Sequence, residues 1–275
     1  MTEALTLVIG GTGKTGRRVV QRLTALDRPV RIGSRSGGVP FDWADPATWE
    51  PALDNVAAAY VSYYPDLAAP GAPEAIGSFT EAALKAGTRR LVLLSGRGEE
   101  EAQASEQVLA ASGADWTVLR CSWFNQNFSE SHLLDPIAAG HLVLPAGPVG
   151  EPFVDADDIA DVATAVLTQD GHIGRLYELT GPRLLTFAEA VATIAAATGR
   201  AIDYTQVSGA EFAASLTAEG VPGDEVELLT YLFTTVLDGR NASLCDGVQQ
   251  VLGRPPRDFA DYARAAAATG IWNEV

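Results

Sequence analysis

Apolar positions along this chain change period repeatedly, and each change marks a predicted element. Residues 5–9 (LTLVI) form a continuous apolar run of strand length, the pattern of a strand covered on both faces of a parallel sheet. Glycines follow at Gly10, Gly13 and Gly16, after which Val19, Val20, Leu23 and Leu26 recur at helical spacing. Further strands are predicted over 29–34, 39–43, 57–62, 90–95 and 116–120, with helices over 74–87 and 101–113 between them. That alternation predicts an α/β fold, a Rossmann-type doubly wound parallel sheet.

Beyond Trp123 the rhythm loosens. A helix opened by Asp155, Asp157 and Asp158 is predicted over 155–167, a seventh strand over 176–180, and a glycine-ended helix over 187–199. Residues 202–207 read as extended, and helical patterns follow over 210–219, 225–237, 247–252 and 259–268. The expected organisation is a nucleotide-binding core over 1–122, rejoined by 151–182. A smaller, mostly helical substrate lobe is expected from 123–150 and 183–275, closing over the strand ends.

A buried strand, a glycine turn and a helix start in that order make a phosphate cradle, because backbone N–H groups and the positive helix end point at one spot. The expected ligand is a dinucleotide held by Gly10, Gly13 and Gly16, with Thr12, Lys14 and Thr15 between them. The spacing is GxxGxxG, not the GxGxxG of the commoner dinucleotide folds, and it resembles that of the short-chain dehydrogenase/reductase group, especially its extended and atypical branches. The second strand selects the nucleotide. A ribose 2′-hydroxyl wants a carboxylate about 20 residues past the loop, and a 2′-phosphate wants a cation. Here Arg35 stands 19 positions beyond Gly16, flanked by Ser34 and Ser36 and by no acid, so NADP(H) is favoured over NAD(H). A solvated loop charge is the bland alternative for Arg35.

Composition narrows the picture. A formal net charge of −16 argues against a nucleic-acid partner, which needs clustered Lys and Arg. Arg17, Arg18 and Arg35 form a local positive group near the cradle, though the first two also suit an ordinary helix surface. Two cysteines, Cys121 and Cys245, cannot make a disulfide framework. The first residues lack a basic region followed by a long apolar segment, and no apolar run reaches membrane length, so a cytoplasmic protein without membrane contact is expected, as monomer or homodimer. His132, His141 and His172 are scattered, which argues against a metal site.

In a doubly wound sheet the ligand lies at the carboxyl ends of the strands. Asp42 and Trp43 are placed to flank an adenine, and Ser62, Tyr63, Ser95, Cys121, Ser122, Trp123 and Phe124 to line the cofactor. Tyr64, Trp123, Asn125, Asn127 and Phe128 are the candidate substrate residues, with plain core or turn capping as the alternative. Ser95 and Tyr63 are the candidate catalytic groups, and a hydroxyl satisfying the strand end is the competing reading for Ser95.

The segments GGTGKTGRRV, SGADWTVLRCSWFNQNF, PFVDADDIADVA, YELTGP and GRPPRDFADYARAAA together resemble the NmrA-like atypical short-chain reductases. Within them the ergot alkaloid reductase type, the agroclavine and festuclavine dehydrogenases with their bacterial relatives, is the most similar. The resemblance covers nearly the whole chain and implies NADPH and reduction of a C=N, quinone or similar acceptor. One departure concerns catalysis. Short-chain dehydrogenases pair a Tyr with a Lys four residues later, and at that place here stand Ala102 and Glu106. Missing that pair suits an acceptor that takes hydride without a strong protein acid, such as an iminium or a quinone, rather than ordinary alcohol chemistry. It also permits a redox-neutral cyclase or isomerase that keeps NADP as part of its pocket, or a cofactor-sensing regulator.

Overall fold

A computed structural model describes residues 4–273; residues 1–3, on which part of the N-terminal reading rests, lie outside the described residues. Strand β1 (Leu5–Ile9) leads through the glycine loop into α1 (Gly16–Ala25), and β2 (Val30–Ser34) and β3 (Val39–Pro40) follow. Next come α2 (Trp49–Leu53), β4 (Val56–Val61), α3 (Ala72–Ala86), β5 (Arg90–Gly96), α4 (Glu100–Ala111) and β6 (Asp115–Cys121). After α5 (Leu134–Ala138) and β7 (His141–Leu144), the chain forms α6 (Ala156–Thr168) and β8 (Arg175–Leu179). It ends with α7 (Phe187–Thr198), β9 (Asp203–Gln206), α8 (Gly209–Ala218), α9 (Gly223–Tyr231), α10 (Gly247–Leu252) and α11 (Phe259–Ala268).

Two compact units result, neither of them continuous in sequence. The first comprises Met1–Cys121, Ala156–Leu179 and Asp246–Arg254; the second comprises Ser122–Asp155, Thr180–Cys245 and Pro255–Val275. The expectation had placed 247–252 in the substrate lobe. It belongs instead to the first unit, because Gly247 seats α10 on the backbone of β8: a Cβ there would stand 2.3 Å from the Glu178 carbonyl oxygen.

The first unit is a seven-stranded sheet in the order β3-β2-β1-β4-β5-β6-β8, every pair parallel. Its order reverses direction at β1, with β2 on one side and β4 on the other, which opens a crevice at the carboxyl ends there. Leu7, Val8, Leu91, Val92 and Val118 are buried within the strands, as continuous apolar runs require. Helices α1 and α6 are joined by Arg22, whose guanidinium meets Asp161 at 2.6 Å and Asp157 at 2.6 Å. The third strand is shorter than the expected 39–43. Pro40 has no N–H to extend the ladder, and the Asp42 carboxylate then turns the chain by accepting from the Ala44 amide at 3.0 Å.

The second unit is organised around rings. Phe128, Phe187, Phe233, Phe259 and Trp272 are almost wholly buried there, with centroid spacings such as 5.6 Å for Phe128–Phe187 and 5.3 Å for Phe128–Phe259. A two-stranded parallel ladder of β7 and β9 accompanies the helices. The helix expected over 225–237 does not run straight through: Leu232–Val236 widens into a π-turn, with Leu237 N–H donating to the Leu232 carbonyl, and Phe233 and Val236 are both buried in it. No helix among the described residues is long and apolar enough to cross a membrane.

Candidate functional site

The glycine loop is built by close backbone approach. Gly10 has φ +66°, a conformation that side-chain-bearing residues avoid, and the Gly13 amide donates to its carbonyl at 2.8 Å. A Cβ on Gly16 would lie 2.2 Å from the Gly10 oxygen, so only glycine lets α1 start beneath the turn. Thr15 is fixed from below by the buried Tyr60 hydroxyl at 3.0 Å. No side chain caps α1 and no acid stands in its first turn, so the positive end of the helix dipole is left for an anion. Thr12 and Gly13 are exposed at the crest. These features fit the pyrophosphate of a dinucleotide.

At the end of β2, Ser34 sits below the loop. Its hydroxyl accepts from Thr12 Oγ1 at 3.3 Å and from the Ser36 amide at 3.0 Å. Arg35 is exposed, with its guanidinium carbon 4.3 Å from the centroid of the Tyr64 ring. Arg18, by contrast, is turned to Asp157 at 3.4 Å, so it does not join a free positive group with Arg35.

Several expected cofactor residues prove to hold the scaffold. The Asp42 carboxylate is engaged in its own turn, and the Asp42 carbonyl accepts from Trp49 Nε1 at 2.8 Å. Trp43 donates from Nε1 to the Ser62 carbonyl at 3.0 Å and packs on Phe41, Phe79 and Tyr63. Ser62 itself borders the loop, its Cβ 3.6 Å from where a side chain on Gly10 would begin. Tyr63 is half-buried beside Trp43 at 5.0 Å, and burial raises its phenol above the ordinary tyrosine range, so it stays protonated. Cys121 is buried at the end of β6, where desolvation pushes its thiol up and keeps it neutral.

Ser95 requires the clearest revision. Its hydroxyl donates to Glu106 Oε1 at 2.6 Å, and the same carboxylate receives Arg120 through Nε at 2.9 Å and through Nη2. Arg120 also reaches Glu178 at 3.2 Å. Ala102, the other residue at the place of the usual Tyr and Lys, is fully buried in the core. The acid/base pair is thus replaced by a locked ion-pair network, which raises the Arg120 guanidinium further and commits the Ser95 proton.

The sequence reading passed over a second buried glutamate. Glu99, in the turn between β5 and α4, lies against Gly96, where a Cβ would stand 2.2 Å from its Oε1. It hydrogen-bonds the carboxyl group of Asp66, in the loop after β4, and Asp66 Oδ1 accepts from the Ala68 amide at 2.9 Å. Desolvation, reinforced by the carboxylate partner, lifts Glu99 well above its ordinary value, and burial raises Asp66 as well. No short motif announces this pair, since its members meet only once β4 and β5 are neighbours.

Residues 122–128 fall in the second unit. Trp123 packs on Phe233 at 4.7 Å and Phe187 at 5.4 Å. Phe124 forms a backbone bridge to Val154, Ser122 is buried, and Asn127 accepts from Ser131 through its carbonyl. Two substrate assignments need correction. Phe128 is sealed inside the ring cluster, and Asn125 is sealed beside Asp155, donating to it at 3.3 Å; neither presents surface to a ligand. Asp155, expected to cap a helix, stands immediately before α6 and receives Asn125 and Gln126. Asp158, expected in the same role, is fully buried in an ion pair with Arg254 at 2.7 Å.

The family described as NAD(P)H-binding matches residues 10–170. An uncharacterized oxidoreductase of Bacillus subtilis, YesF, is 33% identical over 98% of either chain. Agroclavine dehydrogenase of Claviceps fusiformis is 31% identical, covering 93% of this chain and 95% of its own. The NADPH-dependent quinone oxidoreductase QOR2 of Escherichia coli, solved with NADPH, has a TM-score of 0.75 at 22% identity over 94% of this chain and 99% of that one, a likeness of fold.

Proposed function

This chain belongs to the NAD(P)H-binding family, and we propose that it is an NADPH-dependent reductase that delivers hydride to an electrophilic cyclic or aromatic acceptor of the iminium or quinone kind. The observation that carries this reading is the cradle closed by Gly16 against Gly10, with Arg35 and two serines at the end of β2 and no carboxylate there. When bound, NADPH supplies the hydride. The glycine loop and the start of α1 would hold its pyrophosphate, and Arg35 with Ser34 and Ser36 would take the 2′-phosphate. The absence of a Tyr and Lys pair supports acceptors already activated toward hydride. An oxidoreductase relative and a clavine dehydrogenase at about one-third identity support the same chemistry.

Loss of NADPH absorbance during incubation with a panel of quinones and cyclic iminium salts tests the reading. Turnover with at least one acceptor is expected, faster with NADPH than with NADH. Conversion of a substrate with the cofactor unchanged would identify a redox-neutral enzyme, and tight cofactor binding without any turnover would identify a sensor.

A further inference from the structure

The carboxyl edge of the sheet carries a proton that the chemistry above has not used. Two carboxyl groups in direct hydrogen-bond contact must share at least one proton, because two carboxylates offer only acceptors. Glu99 and Asp66 are in that contact, one at the exit of β5 and the other after β4. Strand β4 is the immediate neighbour of β1 in the sheet, and Ser62 at its exit borders Gly10 of the phosphate loop. The pair therefore stands at the strand ends where the bound redox ring and its acceptor belong in a doubly wound sheet. Gly96 makes the seat, since any side chain there would expel the Glu99 carboxyl.

We propose that the Glu99–Asp66 pair is the proton donor to the reduced acceptor, taking the role left vacant by the missing Tyr and Lys. This rests on the hydride-transfer reading above and deepens it. As the acceptor carbon gains hydride from NADPH, its π electron pair moves onto the oxygen or nitrogen. That heteroatom then takes the proton from Glu99: the carboxyl O–H bond breaks and a new O–H or N–H bond forms. The pair is left as two adjacent carboxylates and recovers its proton from water by way of the half-buried Asp66. A neutral carbonyl or imine group thereby becomes a competent acceptor, alongside cations that need no proton.

The surroundings favour the protonated form. Glu101 and Glu106 of α4 face Glu99 with negative charge, and Asp66 does so from the β4 side. The thiol of Cys121 lies close enough to couple to the group, and Arg97 couples to that thiol and meets Glu178 at 3.8 Å.

The test compares 1,4-naphthoquinone with a cyclic N-alkyl iminium salt as acceptors for wild type, Glu99→Gln and Asp66→Asn. A glutamine at 99 still donates to Asp66, so the contact survives while the transferable proton is lost. The ratio of quinone turnover to iminium turnover is expected to fall by about 100-fold or more in both variants, the range of general acid catalysis. Wild-type quinone turnover is expected to decline as rising pH strips the pair. Infrared difference spectra, which do not depend on turnover, are expected to show a protonated carboxylic acid persisting at neutral pH in the wild type and absent from Glu99→Gln. An unchanged ratio, or no such band, would overturn the donor while leaving the reductase standing. No oxidation of NADPH by the wild type with either acceptor would overturn the reductase, and the donor with it.

Discussion

The carboxyl edge of the seven-stranded sheet handles charge in two ways. On the β1 and β2 side, the glycine loop and Arg35 leave positive potential open, and the guanidinium lies over the Tyr64 ring. On the β5 and β6 side, charges are turned inward onto one another. Within that second region two glutamates seven residues apart are buried to a similar degree, 9% exposed for Glu99 and 5% for Glu106, yet they meet opposite partners. Glu106 meets a guanidinium and a serine hydroxyl; Glu99 meets another carboxyl group, which together with burial lifts it well above its ordinary value. Burial alone does not decide the charge of a buried acid. The partner does.

The largest effect that follows belongs to Arg120. Arg120→Met takes the guanidinium away from the buried Glu106 and is expected to lower stability by about 3–5 kcal/mol in urea unfolding, with part recovered in the Arg120→Met/Glu106→Gln double variant. A loss below about 1 kcal/mol would mean that this contact contributes no more than an exposed ion pair.

On the open side, Arg35→Ala is expected to weaken NADPH on the order of 10- to 100-fold while leaving NADH nearly unchanged, read by calorimetry. Equal losses for both nucleotides would remove Arg35 from the 2′-phosphate.

The protonated side has its own signature in pH. Unfolded Glu99 ionises near 4.5, whereas in the folded chain it holds its proton well above that. Between those two values the folded state binds more protons than the unfolded state. Stability therefore falls as pH rises through this window, by up to about 1.4 kcal/mol per pH unit, and the contribution is fully present below it. Urea titrations across the window are expected to show this decline in the wild type and a flatter profile in Glu99→Gln; identical profiles would show that the proton is not retained on folding.

The smallest effect concerns Tyr64, 59% exposed beneath Arg35. Tyr64→Ala is expected to change NADPH affinity by no more than about fivefold, as an exposed cation–π contact contributes about 0.5–1 kcal/mol. A larger loss would make the ring a direct partner of the nucleotide.

The open side was readable in the chain because each part is local. A strand, a glycine turn, a helix and a following strand lie within 35 residues, and their spacing states their geometry. The inward-turned side was not readable, because its members come from separated parts of the chain: Asp66 after β4, Glu99 after β5, Glu106 within α4, Arg120 on β6 and Glu178 on β8. Ser95 is legible as a polar residue near the end of β5, but its partner Glu106 shows in the chain only as a missing lysine. The place of Phe128 is hidden for a related reason. Phe128 looks the same in sequence whether it lines a cavity or fills a core, and only rings contributed from residues 153, 187, 259 and 272 reveal which. Turn chemistry explains the rest: Pro40 shortened β3, and a single extra residue per turn interrupted the helix expected through residue 237.

The order of segments in the first unit has a consequence for how the polypeptide leaves the ribosome. Strand β6 ends at residue 121, but its outer neighbour β8 begins only at residue 175, and α10, which rests on β8, ends at residue 252. For much of synthesis the ladder groups of β6 therefore face solvent unpaired, a template on which another nascent chain can dock. Chaperone demand should accordingly peak before β8 emerges, rather than during elongation of the glycine-rich beginning.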